Sequence, residues 1–491
     1  MTHTTPEVLL INPPFRARTA RIAQASLGPP LGLGYLAASL EAAGVTVAIL
    51  DANALGLSFQ ETVHRATRVG ARVVGLSAAT PSVRLAGRIA CGIKAARRST
   101  VTVLGGPHAT ALPRETLAEE GGFDALVSGE GEAALLALAS GEASAPGLYR
   151  HVNGKVRGHG LGHVANVRAL PWPARHLLPN HRYRTPDSSH FTTIIAQRGC
   201  PATCTYCGVP ALVGREVRRR EPEDVAAEMA ACHRDLGVRY VGFLDDTFTL
   251  DGLWVHALCE AVRAERLPGR VRWSCLTRAN AVDPPMLRAL RSAGCVRLEI
   301  GIESGSASVL HSLKKGVSLA SMRRAFREAR TAGLSVLGFV MLNAPGETPA
   351  DLEATVELVE SLAPDHVQVS LATPYPGTAM REECVRRGIA IDSNWERYSF
   401  LNDVVIREPS RSLDLLRNTV SRLNRTVYLR PDWALRQATR LATGDLELGA
   451  FASAAVRGAL ALSAATLGRF DRSDRTSRPA EAPIGPTRDC V

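Results

Sequence analysis

Two series of short apolar runs alternating with amphipathic stretches, followed by a strongly patterned polar-apolar segment, predict an α/β chain in three parts. The first part is a doubly wound, Rossmann-like parallel sheet, the second a partial (β/α)6 TIM-like barrel, and the third a helical C-terminal region. Boundaries are expected at 1–140, a linker at 141–190, the barrel at 191–385, helices at 386–470 and a polar tail at 471–491. At 491 residues the chain is too long for one small core.

In the first part, Val8 to Ile11 reads as a buried strand stopped at Asn12-Pro13-Pro14. Leu31 to Ala43 has helical spacing and closes at Gly44, and Val45 to Leu50 is the second strand, ending at Asp51. Ser58-x-x-Glu61 is a capping box opening a helix that Gly70 stops. Strands follow at Val73 to Leu76, Val101 to Leu104 and Ala125 to Val127, with a helix at about 82–97. Such sheets bind ligands at the carboxyl ends of their strands. The loops expected there carry Asn12, Asp51, Asn53, Gly56, Ser77, Thr80, Gly105, Gly106, Pro107, Gly129 and Glu130.

The linker holds a hairpin signal at Asn153-Gly154 and a stiff Leu170-Pro171-Trp172-Pro173. From Phe191 six strands are expected, near 191–197, 239–244, 271–276, 296–302, 335–342 and 366–371. Helix starts are marked by Pro222, Asp283-Pro284, Ser318 and Thr348-Pro349. The C-terminal segment is patterned most strongly from Leu413 to Leu429.

Cys200, Cys204 and Cys207 lie directly after the first strand of this second series, in Gly-Cys-Pro-Ala-Thr-Cys-Thr-Tyr-Cys. Three thiolates on one loop can hold three irons of a 4Fe-4S cluster and leave the fourth open to a small molecule. A structural zinc site is the alternative, but it needs four ligands, and no Cys-x2-Cys or His-x3-His pair follows downstream. Cys232, Cys259, Cys275, Cys295 and Cys384 fall in regular elements and read as small core residues.

The Cys-x3-Cys-x2-Cys spacing, with aromatic Tyr206 before the last cysteine, resembles the radical S-adenosylmethionine (radical SAM) enzymes. The first part is similar to the cobalamin-binding domain that precedes the barrel in one branch of that family. That likeness rests on Pro29-Pro30-Leu31-Gly32, Leu104-Gly105-Gly106-Pro107-His108 and Gly129-Glu130-Gly131-Glu132. It implies three cofactors: a 4Fe-4S cluster on the three cysteines, S-adenosylmethionine on the open iron, and cobalamin at the first sheet. It also implies S-adenosylmethionine contacts at the strand ends: Asp245 for the methionine moiety, Arg278 for its carboxylate, Glu303 and Ser304 for the ribose, and Pro345-Gly346 for adenine. Asp51-Ala52-Asn53-Ala54-Leu55-Gly56 departs from the Asp-x-His-x-x-Gly of many cobalamin domains. Asparagine offers no imidazole nitrogen to cobalt, so either the metal is weakly ligated from below or the domain holds no corrin.

The resemblance further implies one-electron cleavage of S-adenosylmethionine to a 5'-deoxyadenosyl radical and methyl transfer from methylcobalamin to an unactivated carbon of a small specialised metabolite. Cyclisation or rearrangement of a tetrapyrrole, hopanoid or similar scaffold is the alternative, and a non-catalytic sensor a third reading. A flavodoxin or ferredoxin is the expected electron donor. Cys91, in a first-part helix, stands alone rather than in a second cluster motif, which disfavours a methylthiotransferase.

Net charge is +11, yet the densest basic run, Arg218 to Arg220, adjoins Glu221, Glu223 and Asp224, and aromatics are only 5%. A nucleic-acid partner is therefore not expected. The N-terminus carries no signal-like pattern, and the most apolar stretch, Leu448 to Leu467, is broken by Arg457. A cytoplasmic protein without stable membrane insertion is the expectation.

Overall fold

The computed structural model describes residues 5–14, 27–158, 160–185, 188, 190–399 and 403–446. The apolar stretch 448–467 and the polar tail lie outside these residues.

The first sheet runs β1 (Val8–Asn12), β2 (Val47–Asp51), β3 (Val73–Ser77), β4 (Val101–Gly105), β5 (Ala125–Val127), β6 (Leu148–Val152) and β7 (Lys155–Gly158). Its spatial order is β2-β1-β3-β4-β5-β6-β7, parallel through β5 and antiparallel beyond. The hairpin at Asn153-Gly154 thus extends this sheet rather than standing apart as a connector. Strands β1 and β3 are buried on both faces because helices cover both sides, which is why they read as unbroken apolar runs. One layer packs on Leu9, Ile11, Val74 and Leu76 and the other on Val8, Leu10, Val73 and Val103. The Ser58–Glu61 capping box forms, and Gly70 ends that helix at φ +72°. Register aligns Asn12 with Asp51 and Ser77 with Gly105, so the loop residues emerge along one edge.

In the second sheet the strands are β8 (Phe191–Ile194), β11 (Tyr240–Phe243), β12 (Arg272–Thr277), β13 (Cys295–Glu303), β14 (Ser335–Leu342) and β15 (His366–Leu371). They lie in the order β15-β14-β13-β12-β11-β8, all parallel, an open six-stranded arc with helices outside. A two-residue ladder, β9 (Gln197–Arg198) with β10 (Arg218–Arg219), brackets the cysteine loop. Helix caps fall where the sequence marks them: Asp283, Ser318 and Thr348 each accept from the third residue on.

The C-terminal region is helical only from Leu413. Ahead of it lie instead a small antiparallel pair, β16 (Ala390–Ile391) with β17 (Ile406–Arg407), and a 3-10 turn at Trp395–Arg397. Helices Leu413–Tyr428 and Pro431–Ala442 flank the β15 side of the barrel, burying Leu416, Leu423, Val427 and Trp433 in its core. The indole of Trp433 donates to the Asp365 carbonyl (2.7 Å).

The carboxyl edge of the first sheet faces the mouth of the barrel. Helix Pro107–Ala111, after β4, packs on helix Val209–Leu212 of the cysteine segment. A Cβ at Gly377, in the loop after β15, would lie 3.3 Å from the Ala111 side chain and 3.8 Å from that of Ala211.

Candidate active site

The cysteine loop is held on several sides. Asp245, at the end of β11, is 1% exposed and accepts the N–H groups of Ala196 and Gln197, just ahead of the loop. Thr205 donates its N–H to the Leu313 carbonyl and accepts from Met380, tying the loop to two later barrel segments. Cys200 and Cys204 are buried and Cys207 half-buried, all three free. The Thr247 hydroxyl lies 3.7 Å from the Cys200 sulfur, and Arg278 Nη1 donates to the Cys204 sulfur at 3.4 Å. A guanidinium donor beside the Cys204 sulfur suits a thiolate, the form that binds iron. Burial pushes the Cys207 thiol up to about 11, and Asp246, Cys204 and Cys200 push in the same direction. A bound cation would reverse that preference.

Among the described residues no three His, Cys, Asp or Glu side chains converge as ligands of one ion. A 4Fe-4S cluster asks for one thiolate per iron rather than three on one metal, so the cysteine loop fits the cluster and not a compact zinc site.

Two carboxylates differ in role from their neighbours. Asp245 is pushed up to about 7 by burial, opposed by its two backbone donors. With both oxygens turned to the backbone, it positions the loop. Asp246, next to it, is exposed as a residue although burial of its carboxyl raises it to about 6, and its charge acts on Cys207. At the end of β13, Glu303 (φ +61°) accepts from Tyr206 Oη (2.8 Å) and Lys315 Nζ (2.7 Å), and Lys315 also reaches Tyr206 Oη (3.1 Å). Ser304 is fully buried, and its hydroxyl meets Thr355 and the Ser306 N–H. It packs a helix rather than facing a cavity. After β14 the Gly346 N–H is taken by Glu408, while Glu347 accepts from the N–H groups of Asn343 and Ala344. Pro345 is half-buried.

On the facing edge, Asp51 is closed: Oδ1 accepts from Asn12 Nδ2 (2.9 Å) and Ala54 N–H (3.0 Å), and Oδ2 from Tyr183 Oη (2.8 Å). Asn12 is therefore also engaged within the protein. Asn53 is half-buried, Gly56 exposed with open space where a Cβ would stand, and Gly105 has nothing nearer to that point than the Val127 carbonyl at 4.0 Å. Gly106 sits at φ +100°, where a Cβ would fall 2.8 Å from the Ala78 carbonyl oxygen and 3.0 Å from Ser77 Oγ. Pro107 opens the helix behind it, and Thr80 Oγ1 lies 3.2 Å from His108 Nδ1. His108 is pushed down to about 4 by burial and by Arg381, and its ring meets Trp395 edge-on at 5.2 Å. This edge is bare of side chains at Gly56 and Gly105, a cradle that fits a large flat ligand.

Glu130 is the clearest departure from the sequence reading. It does not face a ligand cradle: its carboxylate is 3% exposed and carries Arg198 (2.6 Å), Arg218 (2.6 Å) and the Val164 N–H (2.7 Å). Gly129 (φ +85°) is packed so closely on Gly162 that a Cβ would overlap its carbonyl. Sequence reasoning missed Lys315, Arg198, Arg218 and Tyr183. Arg198 alone had a local signal, its place two residues before Cys200.

Three free thiols on one loop at a barrel mouth, facing the carboxyl edge of a doubly wound sheet, suit an enzyme that carries a cluster on the barrel and a second group on the sheet. The family model for the B12 binding domain matches residues 18–139 and that for the radical SAM superfamily residues 194–359. An uncharacterized methyltransferase of Pyrococcus horikoshii is 30% identical over 87% of this chain and 93% of its own length. The chain belongs to the cobalamin-dependent radical SAM enzymes, with a 4Fe-4S cluster, S-adenosylmethionine and cobalamin as cofactors. The anaerobic magnesium-protoporphyrin IX monomethyl ester cyclase of Cereibacter sphaeroides is 26% identical over 81% of this chain and 66% of its own. In fold the chain is similar to the radical S-adenosylmethionine methyltransferase TsrM of Kitasatospora setae, at TM-score 0.68 and 20% identity over 87% of this chain and 90% of that one. Among the described residues no helix is long and apolar enough to cross a membrane.

Proposed function

We propose that this protein methylates an unactivated carbon of a small molecule, a specialised metabolite, drawing electrons from a flavodoxin- or ferredoxin-type donor in the cytoplasm. The observation that carries the reading is the apposition of the cysteine loop to the bare edge of the first sheet, through Ala111, Ala211 and Gly377. Residues 1–140 with the β6–β7 hairpin then serve the corrin, 191–385 the radical chemistry, and 386–446 the closure between them. When bound, the cluster and S-adenosylmethionine supply a carbon-centred radical, and the corrin supplies a methyl group.

The chain's own residues bind and orient. Cys200, Cys204 and Cys207 hold three irons, and Asp245 sets their loop. Arg278 steadies Cys204, and Asp246, the strand-end carboxylate left free of the backbone clamp, meets the ammonium of S-adenosylmethionine. Tyr206, Glu303 and Lys315 form the wall beside it, with the Pro345-Gly346 turn beyond. Trp395, Tyr398 and Tyr375, with Arg381 stacked on the first two, roof the space and exclude water. Likeness to the cyclase supports a second outcome at the same site, ring closure without methyl transfer.

The test is anaerobic reconstitution with iron, sulfide and hydroxocobalamin, then reductant and S-adenosylmethionine labelled in its methyl group, with candidate substrates. Label in a product carbon is the expected result. 5'-Deoxyadenosine with an unlabelled, cyclised product would replace methylation by the second reading.

A further inference from the structure

The Glu130 cluster joins the two sheets at the root of the cysteine loop. Glu130 follows β5 of the first sheet, whereas Arg198 and Arg218 face each other across the β9–β10 ladder that brackets the loop. Arg198 also pairs with Glu132 (2.9 Å) and stacks over the Tyr35 ring at 5.1 Å. Arg218 donates to the carbonyls of Val213 and Val164. His163 Nδ1 approaches Glu130 at 3.5 Å. Two carboxylates and two guanidiniums are thus balanced in a nearly dry space, and the hydrogen bonds from Arg218 and Arg198 hold Glu130 below the usual carboxylate range against its burial. Between Arg198 and Cys200 stands Gly199 at φ +99°, where a Cβ would overlap the Glu216 carbonyl, so the backbone runs closely against that segment just ahead of the first cysteine.

We propose that Glu130 is a positioning residue that registers the cysteine loop on the first sheet, so that the geometry of the cluster site is set by the corrin-side domain as well as by the barrel. Asp245 fixes residues 196 and 197 to β11, and Glu130 fixes residue 198 to β5. The loop is suspended between the two, and its seat depends on both. Family membership supplies the identity of the bound group; the coupling itself rests on side chains of this chain.

Hydrogen exchange read by mass spectrometry on the full-length apoprotein tests the coupling without any cofactor. Glu130→Gln keeps the shape and removes the charge, and Arg198→Lys keeps the charge and removes the fork that reaches both Glu130 and Glu132. In each variant, peptides spanning 196–207 are expected to exchange roughly tenfold faster, the loss of a charge-assisted hydrogen bond, with β12, β13 and β14 unchanged. Iron bound per chain after anaerobic reconstitution is expected to fall in parallel. Unchanged exchange in 196–207 for both variants would overturn the proposal. So would equal acceleration in the barrel strands, which marks general destabilisation. Either result leaves the methyl-transfer experiment free to succeed or fail by itself.

Discussion

At the scale of single residues, neighbouring side chains of the same type have separate tasks because their surroundings differ. Asp245 and Asp246 are adjacent, yet one is buried and consumed by backbone N–H groups while the other is exposed. Lys315 is 5% exposed and donates to both Glu303 and Tyr206. Removing one partner of a buried pair leaves the other charge uncompensated. Lys315→Met is therefore expected to lower stability by about 3 kcal/mol, measured as a reduced urea midpoint. A midpoint equal to wild type would remove Lys315 from the wall of the site.

Strands and their exit loops are the scale at which the sequence was most legible. Strand limits agree to within two or three residues because the strands are short apolar runs bounded by polar, glycine or proline residues, and the caps at Ser58, Ser318 and Thr348 are local chemistry. The cysteine motif was legible for the same reason, being one short loop. Glu130 and Asp51 were not, because their partners lie 68, 88 and 132 positions away and only tertiary packing brings them together. The resemblance places Ser304 near the ribose, whereas its hydroxyl turns to Thr355 on helix Pro349–Leu362. Loop conformation gives a sharp test at Gly106, where φ is +100° and a Cβ would meet the Ala78 backbone. Gly106→Ala is expected to cost about 1–3 kcal/mol of strain and to weaken cobalamin binding in a spectroscopic titration. Binding as tight as wild type would show that this turn does not shape the corrin edge.

For the whole molecule, the barrel and the first sheet are joined around their shared edge rather than by a linker alone. Tyr183 reaches from the connecting segment to Asp51, Glu130 grips the cysteine segment, and Trp395 carries the C-terminal segment onto His108. The surface cavity of about 690 Å³ lined by Arg239, Arg272 and Arg291 lies at the opposite, N-terminal ends of the barrel strands, away from this edge. The contacts of Tyr183, Glu130 and Trp395 hold the carboxyl edge of the first sheet and the cysteine loop on the same side of the molecule. In the proposed reading Cys200, Cys204 and Cys207 hold three irons and leave the fourth open toward the first sheet. That open site is tested most directly by electron paramagnetic resonance of the reduced, reconstituted protein before and after S-adenosylmethionine is added. A cluster signal that changes shape on addition, and is lost when Cys200, Cys204 and Cys207 are replaced by alanine, is the expected result. A signal indifferent to S-adenosylmethionine, or no cluster in the wild-type protein, would contradict the account.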